Sequence, residues 1–146
     1  MAIRIRPHHL LCMLTFAGEG YGAEFIANFA RIARLISSGE QTIEIVFAPD
    51  DICAPLVADP ACHCRNATVA ERDRLAAEAL TGLLHQPIEQ NARLQLDRPT
   101  LDRMRHAFAA RTIRQACKGC EWSPLCDKIA ADAFRKTSLH YPGTCI

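Results

Sequence analysis

The stretch that decides the fold runs Ala23-Glu-Phe-Ile-Ala-Asn-Phe-Ala-Arg-Ile-Ala-Arg-Leu-Ile-Ser37. Its apolar side chains recur every three or four residues, which is the spacing of one face of an α-helix. Gly39 follows as a helix stop signal. The sequence therefore predicts an amphipathic helix over residues 23–37, which buries the face formed by Phe25, Ile26, Phe29, Ile32, Ala33 and Ile36.

Two short β-strands are predicted on either side of this helix. Ala2–Arg6 alternates apolar and basic residues, and Thr42–Phe47 alternates polar and β-branched residues. Alternation with a period of two is typical of a half-buried strand, so we expect these two strands to pair. The other predicted helices cover residues 8–17, Thr68 to about Leu84, Thr100–Ala110 with a short segment to Ala116, and Asp127–Lys136.

The length and composition are those of one globular domain. The chain has 146 residues, of which 49% are hydrophobic and 23% are charged, so a core can form without disulfide bonds. We predict one mainly α (α+β) domain over residues 1–146, with one two-stranded β element, a cysteine-rich metal-binding loop region and a loose tail from about residue 137.

The charge and hydropathy exclude several partners and compartments. A net charge of +1 creates no field that attracts nucleic acid or an anionic membrane. No apolar run reaches the roughly 18 residues that a membrane span needs. The apolar stretch Leu10–Ala17 is too short for a signal peptide, and Gly18-Glu-Gly-Tyr21 is a poor cleavage site. We therefore expect a cytoplasmic protein with no nucleic-acid partner and no membrane contact.

Cysteine is the residue whose usage is unusual, with eight in the chain. Cytoplasmic thiols stay reduced, so clustered cysteines there more often bind metals than form disulfides. The densest cluster is Cys117-Lys-Gly-Cys120-Glu-Trp-Ser-Pro-Leu-Cys126. The Cys-x-x-Cys pair places two sulfurs close enough to share one centre, and Gly119 permits the tight turn between them. Cys117, Cys120 and Cys126 therefore supply three ligands, and one more must come from elsewhere.

The missing ligand is expected in the long loop over residues 48–66, which is rich in proline and aspartate. A structureless stretch of that length in a small domain is usually functional. The candidates are Cys53, Cys62, His63 and Cys64. Cys53 shortly precedes Pro55 and so lies in a rigid turn, and Cys53 and Cys64 are favoured over Cys62.

The three-plus-one arrangement favours an iron–sulfur cluster of the [4Fe–4S] type over zinc, because a zinc ribbon usually shows two Cys-x-x-Cys pairs. Cationic neighbours would stabilise such an anionic cluster, and Arg114, Lys118 and Lys128 are candidates. Redox or sensing use with an unknown redox or protein partner is expected. The alternative is a structural zinc site, whose docking surface for a partner would be the basic residues Arg103, Arg105, Arg111, Arg114 and Lys118.

A second constellation is Arg6-Pro-His8-His9-Leu-Leu-Cys12. On a helix, both His8 and His9 share a face with Cys12, since residues three and four apart are neighbours. Such a set suits a nucleophile with its base, extra metal ligands, or hydrogen bonds to a cluster. A Cys/His-dependent or metal-dependent enzyme is therefore a further alternative. The pair Asp50-Asp51 is interpreted as an acidic turn or cap rather than a cation site.

Three motifs together resemble the short bacterial and archaeal proteins grouped as domain of unknown function family 1284. They are Arg6-Pro-His-His-Leu-Leu-Cys12, Pro49-Asp-Asp-Ile-Cys53 and Cys117-Lys-Gly-Cys-Glu-Trp122 with Cys126, and the resemblance spans residues 3 to about 135. The family has no assigned function, and its members are described as iron–sulfur proteins on the basis of their cysteines. The resemblance implies roles for His8, His9, Cys12, Asp51, Cys53, Cys64, Cys117, Cys120 and Cys126.

The chain departs from that family's pattern at one position. Some members carry Cys-x-x-Cys-Pro where this chain has Cys53-Ala-Pro-Leu56. The second cysteine is thus replaced by Leu56, and the resemblance implies fewer than six ligating cysteines here, with Cys62 as a partial replacement. The number of metal ions in the cluster is left open by this difference.

Overall fold

In the computed structural model of the chain, the residues described are 2–18, 23–38, 42–47, 50–52, 67–114, 123–135 and 137. Within them the order of elements is β1 (Ala2–Ile5), α1 (Pro7–Thr15), α2 (Ala23–Ser37), β2 (Thr42–Ile45), α3 (Ala67–Leu84), β3 (Arg93–Leu94), α4 (Arg98–Ala109) and α5 (Ser123–Ala131). The predicted mainly helical fold with a small sheet is confirmed. No helix in this part of the chain is both long and apolar enough to cross a lipid bilayer.

The sheet has three strands in the order β1-β2-β3, where two were predicted. The expected pairing of β1 with β2 is present and parallel, with Ile3 opposite Ile43 and Ile5 opposite Ile45. A parallel pair needs a long crossover connection, and α1 and α2 lie in that connection. The third strand, β3, runs antiparallel to β2 and adds to the two strands that were predicted.

Burial in the sheet alternates along the strands, so one face of the sheet packs into the core. Helix α1 packs against α3 and also contacts α4 and α5. Helix α2 buries the predicted apolar face, and its Phe29 ring stacks on Phe16 with 4.1 Å between centroids. The fully buried side chains from these elements form one core, which includes Ile5, Leu10, Leu14, Ile32, Ile45, Leu80, Leu101 and Phe108.

Several predicted helix boundaries were wrong. Helix α4 begins at Arg98 rather than after Thr100, because the Asp97 carboxylate caps it and accepts the Thr100 N–H at 2.9 Å. Within the described residues, the chain after α4 is a turn over 110–113 and not the expected helical segment, and Arg111 there has a φ of 67°. Helix α5 ends at Ala131 instead of Lys136, since Phe134 turns its ring into the core with a φ of 59°.

Candidate functional site

The motif that begins at Arg6 lies at the carboxyl end of the parallel strands. His8 and His9 stand in the first turn of α1, directly after β1, and Asp50 follows β2. In sheets with parallel strands, ligands bind outside the carboxyl ends of those strands. The fold therefore places this motif where a functional site is expected.

Helix α1 is nearly surrounded by protein. Six of its nine residues are buried, and the three that are half-exposed are His8, His9 and Cys12. Helical spacing puts His8, Cys12 and Thr15 along one stripe of the helix. The side chains that the sequence selected for chemistry are thus the ones that α1 leaves partly exposed at the edge of the core.

His8 belongs to a buried network of charges. Its Nδ1 lies 2.6 Å from Asp73 Oδ1, and its backbone N–H donates to the same oxygen at 3.2 Å. The other carboxylate oxygen of Asp73 accepts from Arg6, with 2.9 Å to Nε and 2.8 Å to Nη2. The side chains of Arg6 and Asp73 are only 3% and 1% exposed, so this ion pair, in which two guanidinium nitrogens donate to one carboxylate oxygen, lies inside the protein.

The protonation of His8 is set by this environment. Burial, together with the neighbouring His9, lowers the pKa of His8 to about 4 despite the hydrogen bond to Asp73. Burial raises the pKa of Asp73, but the hydrogen bonds from His8 and Arg6 outweigh it and bring the pKa below its ordinary value. At neutral pH the carboxylate is ionised, so it can only accept, and the neutral His8 carries its hydrogen on Nδ1. The lone pair of His8 is then on Nε2.

His9 has a similar partner from another part of the chain. Its Nδ1 lies 2.7 Å from Asp50 Oδ2, and the side chain of Asp50 is fully buried. The two imidazole rings are neighbours, with 4.4 Å between their centroids and 56° between their planes. Carboxylate partners of this kind fix ring orientation and tautomer, both in metal sites and in catalytic histidines. The arrangement can accept a proton or bind a metal ion through Nε2.

Asp50 and Asp51 also hydrogen-bond the backbone along the edge of β1 that faces away from β2. The N–H of Arg6 donates to Asp50 Oδ2 at 2.8 Å, and the N–H of Arg4 donates to Asp51 Oδ2 at 2.8 Å. The N–H of Asp51 in turn donates to the carbonyl of Arg4 at 3.1 Å. These contacts agree with the interpretation of Asp50 and Asp51 as an acidic turn or cap, because both side chains accept backbone N–H groups. The further role of Asp51 that the family resemblance implies stays a prediction.

At the far end of α1, Thr15 contacts Cys126. The Thr15 hydroxyl lies 3.2 Å from Cys126 Sγ and 3.3 Å from the carbonyl oxygen of Cys12. Cys12 and Cys126 are both half-buried. The Thr15 hydroxyl thus links the backbone of Cys12 with the sulfur of Cys126, which lies 111 residues after Thr15.

Cys126 was predicted in a loop just ahead of a helix, and this was wrong. It is the fourth residue of α5, which begins at Ser123 rather than Asp127. Pro124 suits the first turn of this helix, because its missing N–H would have no partner there. The first turn of a helix favours a thiolate through the positive end of the helix dipole. The correction therefore moves Cys126 into a position that suits a ligand.

The remaining predicted ligands lie outside the described residues, namely Cys53, Cys62, His63, Cys64, Cys117 and Cys120. Ile52, the last described residue before Cys53, is fully buried. Across the ranges that the structure describes, no three His, Cys, Asp or Glu side chains lie close enough to hold a metal ion. The predicted metal-binding loop is accordingly untested.

Part of the basic run that the zinc alternative assigns to a docking surface is engaged within the fold. Arg105 is buried, donates to the Thr137 hydroxyl at 3.3 Å and lies over the Phe134 ring. Arg114 forms an ion pair with Asp127, which Arg111 also contacts at 3.2 Å. Two guanidinium groups thus share one carboxylate next to Cys126, while Arg103 and Arg111 are exposed and Lys118 lies outside the described residues.

A surface cavity of about 390 Å³ lies elsewhere, between β3 and the start of α4. Its lining includes Arg93, Gln95, Thr100 and Arg103, and it contains none of the predicted ligands. A functional site is better supported at the pairs His8–Asp73 and His9–Asp50 than at this cavity, since each pair joins two oriented titratable groups.

Sequence reasoning missed Asp73. A signal was present, because Asp73, Ala76, Ala77 and Leu80 follow helical spacing and Asp73 lies among the buried residues of α3. A carboxylate on an apolar face is rarely tolerated without a partner, so its position indicates a buried cation or histidine nearby.

Comparison with known proteins identifies the family. A family model described as "Protein of unknown function (DUF1284)" matches residues 20–126, a span that holds Cys53, Cys64 and Cys126 but begins after α1. No curated protein matches the chain. No solved structure matches it either. The match covers well over half of the chain, and the protein therefore belongs to the DUF1284 family.

Proposed function

We propose that the protein binds an iron–sulfur cluster of the [4Fe–4S] type. Cys117, Cys120 and Cys126 would supply three ligands, and Cys53 or Cys64 the fourth. The observation that carries the proposal is the position of Cys126, which is half-buried in the first turns of α5 with a hydroxyl 3.2 Å from its sulfur.

This position fits a thiolate ligand in two ways. The amino-terminal end of α5 favours negative charge on Cys126. The Thr15 hydroxyl can donate to the sulfur once the thiol proton is lost, and hydrogen bonds to ligating sulfurs are a common means of tuning clusters. Partial burial also limits the access of water to a bound cluster.

A bound cluster would supply one-electron chemistry or a Lewis-acidic iron. The protein would then serve electron transfer or redox sensing, together with a redox or protein partner. A cytoplasmic location suits this proposal, because thiols stay reduced there.

The test is anaerobic reconstitution of the full chain with iron and sulfide. We expect a brown protein whose broad visible absorption is bleached by dithionite, with about four iron and four sulfide per chain. Cys126→Ser should lose most of this absorption. Cys145→Ser is the matched control, since Cys145 belongs to neither of the predicted sites, and it should keep the absorption.

Two results would contradict the proposal. One is a colourless protein that contains stoichiometric zinc and stays colourless after reconstitution, which would favour the structural zinc site. The other is equal cluster content in the Cys126→Ser and unaltered proteins, which would remove Cys126 from the ligand set.

A second candidate function is a metal-dependent or Cys/His-dependent enzyme centred on His8, His9 and Cys12. The observation that favours it is the pair of carboxylate–imidazole contacts at 2.6 and 2.7 Å on neighbouring rings. Oriented imidazoles of this kind serve as metal ligands or general bases.

Cobalt binding tests the metal-dependent form of this candidate. Cobalt is added to cluster-loaded protein, so that the cluster ligands are occupied, and its affinity is measured by titration calorimetry, because the cluster would mask the visible bands of cobalt. We expect His8→Ala and His9→Ala to weaken binding at least tenfold, while the exposed control His106→Ala leaves it unchanged. Equal affinities in all four proteins would contradict the metal-dependent form.

A further inference from the structure

We propose that the surface cavity between β3 and the start of α4 binds a small molecule through a phosphate group. The cavity has a volume of about 390 Å³, which lies in the range of small-molecule sites in proteins. No histidine or cysteine is among the described residues that line it, so it serves binding and not catalysis. The inference goes beyond the proposed function, because it concerns none of the predicted cluster ligands.

Separate elements of the fold build this cavity. Its wall comes from β2, the end of α3, β3 and the first turns of α4. The Gln86 amide donates to the carbonyl of Arg93 at 2.8 Å, which holds the chain after α3 against β3. Leu84 and Leu94 add apolar surface beside the charged groups. The cavity thus combines an apolar wall with a few polar groups, as small-molecule sites do.

Two arginines supply the charge that selects an anion. Arg93 lines the cavity from β3 and Arg103 lines it from α4, so two guanidinium groups reach it from different elements. Among the residues that the structure describes, none forms an ion pair or a hydrogen bond with the Arg103 side chain. Arg93 lies 3.6 Å from Glu44, beyond hydrogen-bond distance, and its side chain is 67% exposed. Both guanidinium groups can therefore donate to a ligand.

The carboxylate of Asp97 also lines the cavity, but it is engaged by α4. Asp97 Oδ1 accepts the N–H of Thr100 at 2.9 Å, and hydrogen bonds from Thr100 lower the pKa of Asp97. This carboxylate occupies the amino-terminal end of α4, so the helix end is not the anion site. Asp97 also offsets part of the charge of Arg103. Affinity at the cavity therefore depends on directed hydrogen bonds and not on a general positive field.

The pair of guanidinium groups favours a phosphate over a carboxylate. A guanidinium group recognises an oxyanion through two parallel N–H groups. A phosphate group carries about two negative charges and three strong acceptor oxygens, so it can bond Arg93 and Arg103 at once. A carboxylate has one charge and two oxygens, which satisfy only one guanidinium group.

The experiment is an NMR titration of the full chain with inorganic phosphate at constant ionic strength, with acetate as the carboxylate probe. We expect phosphate to bind about tenfold more tightly than acetate. Arg93→Gln and Arg103→Gln should each weaken the binding of phosphate about tenfold, because each loses charge-assisted hydrogen bonds. The matched control is Arg135→Gln, which removes the same charge from an exposed arginine outside the cavity and should leave the affinity unchanged.

The position of the shifted amide signals gives a second readout that needs no variant. Shifts that concentrate on residues lining the cavity, such as Gln95 and Thr100, support the inference, and shifts confined to other regions contradict it. Absence of phosphate binding, equal affinity for acetate, or equal weakening in Arg135→Gln and Arg103→Gln would also overturn it. The titration uses neither iron nor sulfide, so its failure leaves the proposed function intact, and failed cluster reconstitution leaves this inference intact.

Discussion

The two ends of α1 use different chemistry to hold their neighbours. At the amino-terminal end, Arg6, His8 and Asp73 form a buried network of charged groups, and His9 contacts a buried carboxylate. At the carboxyl-terminal end, Thr15 and Cys126 share one contact between a neutral hydroxyl and a sulfur. Both ends join parts of the chain that are far apart in sequence, but with interactions of very different strength.

This difference indicates two different roles. The amino-terminal network joins charges within the fold, so it is expected to be rigid and costly to disturb. The contact of Thr15 with Cys126 is compatible with either a thiol or a thiolate, because the hydroxyl can donate or accept. One end of the helix is therefore held by several charged groups, while the other end is held by a single neutral contact.

The largest predicted effect is that of Asp73→Asn on the amino-terminal network. The change keeps the shape of the side chain but leaves the buried guanidinium of Arg6 without this carboxylate. We expect the free energy of unfolding to fall by about 3–5 kcal/mol, as when one partner of a buried ion pair is removed. Urea denaturation measures it. The control Glu78→Gln removes an exposed partner of Arg74 and should leave the free energy of unfolding almost unchanged, because water and salt screen surface ion pairs.

A loss below about 1 kcal/mol in Asp73→Asn would remove the distinction between the two ends of α1.

Acidification should destabilise the same end of the helix. Burial first, and then His9, lowers the pKa of His8 from 6.5 to about 4, so the unfolded chain binds this proton more readily than the folded one. Stability is then unaffected above pH 6.5 and falls between about pH 6.5 and pH 4, by up to about 3 kcal/mol. Asp73, whose pKa is lowered, adds a further loss only below its ordinary value of 3.8.

Urea denaturation over this pH range measures the effect, and His8→Gln is the control. That variant should show a flatter pH dependence between pH 6.5 and pH 4. A slope identical to that of the unaltered protein would mean that His8 is not the group that titrates.

The smallest predicted effect is at the carboxyl-terminal end. Thr15→Val in the cluster-free protein removes one hydroxyl with two contacts and preserves the packing volume. We expect a loss of about 0.5–1.5 kcal/mol, the usual net value of a neutral hydrogen bond. Thermal or urea unfolding measures it. A loss as large as that of Asp73→Asn would show that both ends are equally important to the fold.

The helices were predictable because their apolar faces are periodic. Helix α2 was predicted with its observed bounds, since Phe25, Phe29 and Ile32 mark one continuous face. Strand β3 and the end of α5 were not, because both depend on tertiary contacts. The two residues of β3 are too few to show alternation, and Phe134 leaves the helical path in order to reach the core.

Of the candidate site, the sequence predicted the side chains that α1 carries but not the hydrogen-bond partners that orient them. His8, His9 and Cys12 were selected by helical spacing, and the structure places all three at the half-exposed positions of α1. Asp73 lies 65 residues from its partner His8, and no local spacing relates positions so far apart. The contact of Cys126 with Thr15 was missed for the same reason.

The acidic cap on β1 has a consequence for association between molecules. An uncovered edge strand offers its backbone as a template on which another strand can add, which is a common route to aggregation. The carboxylates of Asp50 and Asp51 occupy the donors of Arg6 and Arg4 on that edge. An incoming strand would have to displace two charged groups from β1, so further growth of the sheet is disfavoured on this side.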